Sequence, residues 1–258
     1  MRASQAEPTT GVRPILTRVV SNAGMLLGGR TVNAVFSLAY MAIAARTLGV
    51  RELGVLVLIQ AFAQFLGDVV KFQSWQTIIH YGAHPLANGE PRPFQRVLRF
   101  TVLVDAISTI IGIAIGVAGS FLFAGRLGWT PQEAPTAAVF MLTIAFMISA
   151  TPIGLLRIFD RFDVMARQSA LIALLRLVGC AAAWWLSPNL TGFLVAFAFG
   201  TVGSWLYLAG SALGELRRRD LLRDIPWNER TAEGLPGVWR FAWNTNLTST
   251  LEIAFTHA

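Results

Sequence analysis

Residues 99–124 read RFTVLVDAISTIIGIAIGVAGSFLFA. After Arg99, Asp105 is the one ionisable side chain in a run long enough to cross the ~30 Å hydrocarbon core of a bilayer, a crossing that takes roughly 20 apolar residues. Five further stretches meet that requirement: 22–45, 53–78, 136–157, 168–187 and 190–212. A seventh run, from Phe241 to Ala258, carries Asn244, Thr245, Asn246 and Glu252 and reads as the opening of another helix. The predicted architecture is an all-α polytopic membrane protein. A cytoplasmic segment (1–21) precedes a six-helix bundle (22–212), a cytoplasmic linker (213–238) follows, and residues 239–258 begin a truncated second lobe.

The composition agrees. Of 258 residues, 54% are hydrophobic and 14% charged, against about 25% charged in soluble domains. The net charge of +7 does not point to nucleic acid, because such a binder needs its basic residues on a wet face and here they lie between apolar runs. Cys180, the single cysteine, sits inside an apolar segment and excludes a disulfide framework. No apolar core followed by a small-residue cleavage site marks a removable leader, so the chain is expected to begin near Met1.

Orientation follows from arginine and lysine. The N-terminal segment and the second, fourth and sixth connections hold fifteen of them, the first, third and fifth only Arg46, Arg51 and Arg126. Positive charge stays inside, so the N-terminus is expected in the cytoplasm. Trp129, Trp184 and Trp185 are predicted at the outer boundary and Trp75, Trp239 and Trp243 at the inner one, as interfacial aromatics require.

Polar residues within the spans are the informative ones. An arginine or aspartate at a helix centre costs roughly 2.5–3.5 kcal/mol of insertion free energy, against about 0.3–0.6 returned by each Leu, Ile, Phe or Val. Arg30 must therefore turn toward other helices or water, with Asn33, Ser37 and Tyr40 on its face, unless the span starts later and Arg30 snorkels. Gln60, Gln64, Asp68 and Lys71 recur at spacings of four, four and three and form one polar stripe. Thr101, Asp105, Ser108 and Thr109 repeat this more weakly, followed by Gly112 and Gly116, a small-xxx-small pair suited to close packing. Arg176 follows Arg167 by about 13 Å of helix rise, which fits both a deep position and a reach back to the surface. Pro152 supplies a kink late in the fourth span. Together these groups point to a hydrophilic internal cavity, and fixed guanidinium groups suit a phosphate-bearing substrate. No acidic or cysteine ligands at regular spacing accompany His80 and His84, so no metal site is expected.

The strings Asn22-Ala23-Gly24, Gly28-Gly29-Arg30, Ala45-Arg46-Thr47-Leu48-Gly49, Glu52-Leu53-Gly54 and Ile158-Phe159-Asp160-Arg161-Phe162 carry a resemblance. So does Trp239-Arg240-Phe241 ahead of Asn246-Leu247-Thr248-Ser249-Thr250. The chain resembles a polysaccharide biosynthesis protein of the Wzx-like O-antigen or exopolysaccharide flippase type, in the multidrug/oligosaccharidyl-lipid/polysaccharide exporter superfamily. The resemblance implies two related bundles around a central cavity, of which this chain holds the first and lacks the C-terminal lobe. It implies a bacterial inner-membrane location and transfer of a polyprenyl-diphosphate-linked oligosaccharide to the outer leaflet. It further implies that early cavity arginines engage the diphosphate, with Arg30 the best match and Arg46 the second; Arg176 joins them as a candidate. Asp68 and Asp105 are candidate sites for a coupling proton or sodium ion. No cofactor and no nucleic-acid partner is expected. The alternatives are a small-molecule exporter, for which an arginine-rich cavity has the wrong sign, and an inactive fragment or scaffold. A membrane enzyme is disfavoured because the outer connections are too short for a catalytic site.

Overall fold

Gly49 organises the first third of the chain. In the computed structural model, which describes residues 12–223 and 235–256 (without the side chains of 12–30, 32 and 248–256), α1 (Val12–Val70) is two helical arms joined at this residue. Its φ of 73° and ψ of 179° lie where only glycine is at ease. The arms run in opposite directions: Tyr40 meets the ring of Phe197 edge-on at 5.4 Å, and Gln64 lines the same cavity as Arg176, whose guanidinium is 5.1 Å from that ring. A straight helix would hold Tyr40 and Gln64 about 36 Å apart.

The second arm stops at Val70, so the span expected over 53–78 is corrected. Residues 71–73 leave the helix, and a separate helix, α2 (Ser74–Ala87), packs on the elements beyond it. The next helix, α3 (Pro91–Leu122), lies antiparallel to the second arm. A Cβ added to Gly112 would come 2.8 Å from Val70, and one added to Gly119 would come 2.9 Å from Phe62. One added to Gly116 would come 3.0 Å from Met141, so Gly112 and Gly116 do serve close packing.

The fourth span is three pieces, α4 (Glu133–Met141), α5 (Ile144–Met147) and α6 (Ala150–Ile158). Its sharp break falls at Ile148, extended at φ −82° and ψ 105°, and not at Pro152 itself. The reason is chemical: proline cannot donate to the carbonyl four residues back, so the helix opens there. The last spans, α7 (Phe162–Leu186) and α8 (Leu190–Arg218), form a hairpin whose second helix is capped by Asn189 Oδ1 accepting from Gly192 N at 2.9 Å. Then α9 (Val238–Thr256) returns against α2.

Among the described residues no strand occurs, and five stretches are long and apolar enough to cross a membrane: Asn33–Ala87, Pro91–Leu122, Glu133–Ile158, Phe162–Leu186 and Leu190–Arg218. The first contains the Gly49 reversal and so covers the expected first and second spans.

The connections gather at two ends. At one, Arg51 pairs with Glu133 at 3.0 Å. At the other, Arg161 pairs with Glu215, and Gln95 Nε2 donates to the carbonyls of Leu221 and Arg223 at 3.0 and 2.7 Å. Odd and even connections thus lie at opposite ends, as six alternating crossings require. Trp129 is buried edge-on against Phe62, whereas Trp184 and Trp185 are exposed.

Candidate functional site

Three helices and one helix break line a polar notch. On α7, Gln168, Ile172 and Arg176 come round on successive turns, and on α8 Thr201, Ser204 and Trp205 face them. The break before α6 presents Ser149, and the second arm of α1 presents Gln64. The notch is partly open, with Gln64 exposed at it, and its volume is about 130 Å³, room for several waters.

Arg176 is the cation of this notch. Its Nη2 donates to Thr201 Oγ1 at 3.3 Å, its guanidinium lies over Phe197, and its buried Nε has no hydrogen-bond partner. Gly200 makes room for it, since a Cβ there would sit 2.4 Å from Arg176 Cγ. Gln168 Nε2 donates to Ser204 Oγ at 2.6 Å and ties the two helices together beside it. No carboxylate pairs with Arg176 among the described residues. A guanidinium beside a small polar cavity, with no carboxylate partner among the described residues, is equipped to take an anion.

The other expected residues are placed as follows. Gln64 joins Arg176 at the notch, and its amide donates to Asp68 at 3.0 Å, which also accepts from Lys71 at 2.9 Å. The stripe of Gln64, Asp68 and Lys71 is thus one hydrogen-bonded chain along the second arm. Gln60 and Asn33 are half-buried, on the second and first arms. Arg46 is exposed beside the Gly49 turn and is not brought to Arg176. Arg30 falls within α1, with its side chain outside the described residues, as is that of Glu252.

Asp105 belongs to a different junction. It is buried, and its two oxygens accept from Ser74 Oγ at 2.6 Å and from Thr151 N at 2.9 Å. The carboxylate thereby meets the first turn of α6, where free N–H groups favour negative charge. No arginine is its partner among the described residues. Cavity polarity is therefore divided among separate places, where the sequence suggested one.

Gln168, Thr201, Ser204 and Ser149 were missed as site residues. The signal for Gln168 was available, since it stands two helical turns before Arg176 on one face. Ser149 follows the break that Pro152 opens at Ile148, four residues before the proline, a signal the sequence also held. Outside the apolar runs 136–157 and 168–187, at the helix starts, hydrogen bonds from Arg161 hold the Asp163 carboxyl below its ordinary 3.8 against the opposing effect of burial. At Glu133 burial acts upward, and the Thr130 amide and side chain with Arg51 overcome it, leaving the group below 4.5.

No family model matches the chain, and no solved structure matches it. It is 32% identical over 235 residues, 90% of its own length, to "Inner membrane protein YghQ" of Escherichia coli strain K12. It spans 66% of that protein's length. The chain is thus a helical membrane protein homologous to an inner membrane protein.

Proposed function

We propose that the chain is one lobe of a transporter that moves a polyprenyl-diphosphate-linked oligosaccharide across the bacterial inner membrane by alternating access, with its N-terminus in the cytoplasm. One observation carries the reading: Arg176, half-buried among the helices, lines a small polar cavity and has no acidic partner among the described residues. A charge so placed is costly and marks a ligand path. Its sign and planar fork suit a phosphate oxygen and disfavour a cationic drug. The homology to an inner membrane protein and the resemblance noted above support the same reading. Gln64 and Gln168 would orient the bound group, and the Asp68–Lys71 pair would exchange a proton or cation as the lobes rock. Arg30 and Arg46 would meet the diphosphate at other stages of its passage.

The test is export of surface polysaccharide in cells whose chromosomal copy is deleted and which carry the complete gene. Arg176→Gln is expected to reduce export roughly tenfold or more at equal membrane abundance, the equivalent of one charge-assisted hydrogen bond. Arg176→Lys should recover part of it. Undiminished export by Arg176→Gln overturns the reading.

A further inference from the structure

Arg157 stands in the last turn of α6, at the bundle end that also holds the Arg161–Glu215 pair. It closes the apolar run 136–157, so it sits at the depth of lipid headgroups. Its guanidinium lies over the indole of Trp75, 4.1 Å from the ring centroid. Gly154, one turn earlier, allows the approach, since a Cβ there would come 2.9 Å from Trp75 Cα. The backbone break at residues 71–73 supplies the other neighbour: Trp75 Nε1 donates to Gln73 Oε1 at 2.5 Å. One indole is thus held on its face by a guanidinium and at its edge by an amide.

Both groups have donors to spare. The Arg157 guanidinium makes no hydrogen bond and no ion pair among the described residues. The neighbouring cations are engaged, Lys71 with Asp68 at 2.9 Å and Arg161 with Asp163 and Glu215. Because Gln73 accepts through Oε1, its amide orientation is fixed, and Nε2 donates to nothing among the described residues. Neither the guanidinium nitrogens nor Gln73 Nε2 is sealed from the surface. A cation–π contact holds the guanidinium in place without satisfying its N–H groups, which remain for phosphate oxygens.

We propose that Arg157 and Gln73 form a diphosphate-receiving site at the membrane surface, where the headgroup of a prenyl-diphosphate lipid rests before it passes to Arg176. The guanidinium supplies the charge and the planar fork for one phosphate, and the amide donates to an oxygen of the other. The prenyl chain stays in the bilayer, because both donors lie at headgroup depth. A phosphodiester offers one negative charge on one phosphorus, whereas a diphosphate spreads its charge over two, so paired donors favour the diphosphate. The inference rests on the reading above for its ligand. Its test measures binding and not export, so the two fail separately.

The experiment is equilibrium binding of geranylgeranyl diphosphate to the full chain in detergent, with phosphatidylglycerol as the competing phosphate lipid. An Arg176→Gln background keeps the notch from contributing, and binding should persist there. Affinity for the diphosphate is expected to exceed that for phosphatidylglycerol by about tenfold. Arg157→Gln, which removes the charge, and Gln73→Glu, which sets a carboxylate beside the guanidinium, should each lower affinity about tenfold. The two substitutions lie on different elements, so one remains should the other misfold. Undiminished affinity in a folded variant, equal binding of phosphatidylglycerol, or loss of all binding by Arg176→Gln alone overturns the proposal. Normal export by Arg176→Gln beside weakened binding by Arg157→Gln would overturn only the assignment of Arg176.

Discussion

The indole Nε1 of Trp205 donates to the carbonyl oxygen of Ile148 at 3.1 Å. In an unbroken helix that carbonyl would accept from residue 152, which is a proline. A side chain of α8 thus replaces a backbone donor that the fourth span lacks, and it does so where the span opens toward Arg176. Trp205→Phe is expected to lower stability in detergent by about 1–2 kcal/mol, the cost of an unfilled carbonyl. Pro152→Ala restores a main-chain donor, so the double variant should lose less than the two single losses combined. Strictly additive shifts in Tm would refute the coupling.

Gly49 gives the second prediction. Its backbone angles exclude a side chain even though nothing lies within 4 Å of an added Cβ. Gly49→Ala should cost about 1–3 kcal/mol through strain alone. Gly54→Ala, a helical position equally open, should be neutral or raise stability by up to about 1 kcal/mol. Thermal unfolding of the two variants side by side checks this, and equal Tm values would disprove it.

Acid should loosen the molecule from its ends. Asp163 and Glu133 are both held below their ordinary values of 3.8 and 4.5. A carboxyl depressed by folding contributes fully above its ordinary value and loses that contribution as pH falls through the lower folded value. Tm should therefore be level near neutrality and fall below pH about 4.5, and Asp163→Asn should flatten part of the fall. Salt should weaken the effect, since Asp163 and Arg161 are about one-third exposed. A wild-type profile identical to that of Asp163→Asn would contradict the assignment.

Glu215 supplies the fourth. Its buried carboxylate accepts from Arg161 and from Arg218 at 3.2 Å, with Arg219 at 3.7 Å. Glu215→Gln leaves three guanidinium groups around a neutral amide, and a loss of about 2 kcal/mol is expected. Replacing Arg219, the most distant partner, by Gln in the same background should recover some of it. Limited proteolysis between residues 158 and 162 provides a local readout.

The long apolar runs announced the helices, and the alternation of basic connections announced which loops share an end. What stayed hidden has physical causes. Pro152 marked a break in the fourth span, but the groups that take up the opened backbone, Trp205 on the Ile148 carbonyl and Asp105 on the Thr151 amide, lie far away in sequence. The helix ends at Asp160 and Asp220 adopt φ of 58° and 55° and close with Arg161 N to Leu156 O and Leu221 N to Leu216 O. These are the helix-ending turns that glycine forms at Gly89 and Gly128. Aspartate there gives no comparable signal. Likewise Thr130 and Glu133 exchange hydrogen bonds at the start of α4, a reciprocal cap written as Thr-x-x-Glu in the sequence. At the candidate site, spacing alone gave the Gln64 stripe, whereas the separation of Asp105 from Arg176 is a matter of which helices pack together.

One helix is fastened at its start and at its middle. Halfway along, α2 holds α9, with His80 stacked on Phe241 at 4.4 Å and Tyr81 donating to the Pro236 carbonyl at 3.1 Å. At its first residue, Ser74, it grips the same carboxylate that grips Thr151. This makes α2 a strut. Torque applied to α9 reaches the fracture in the fourth span unless the ring stack slips first, so the stiffness of that stack sets how far a swing of the chain beyond residue 238 is felt in the bundle.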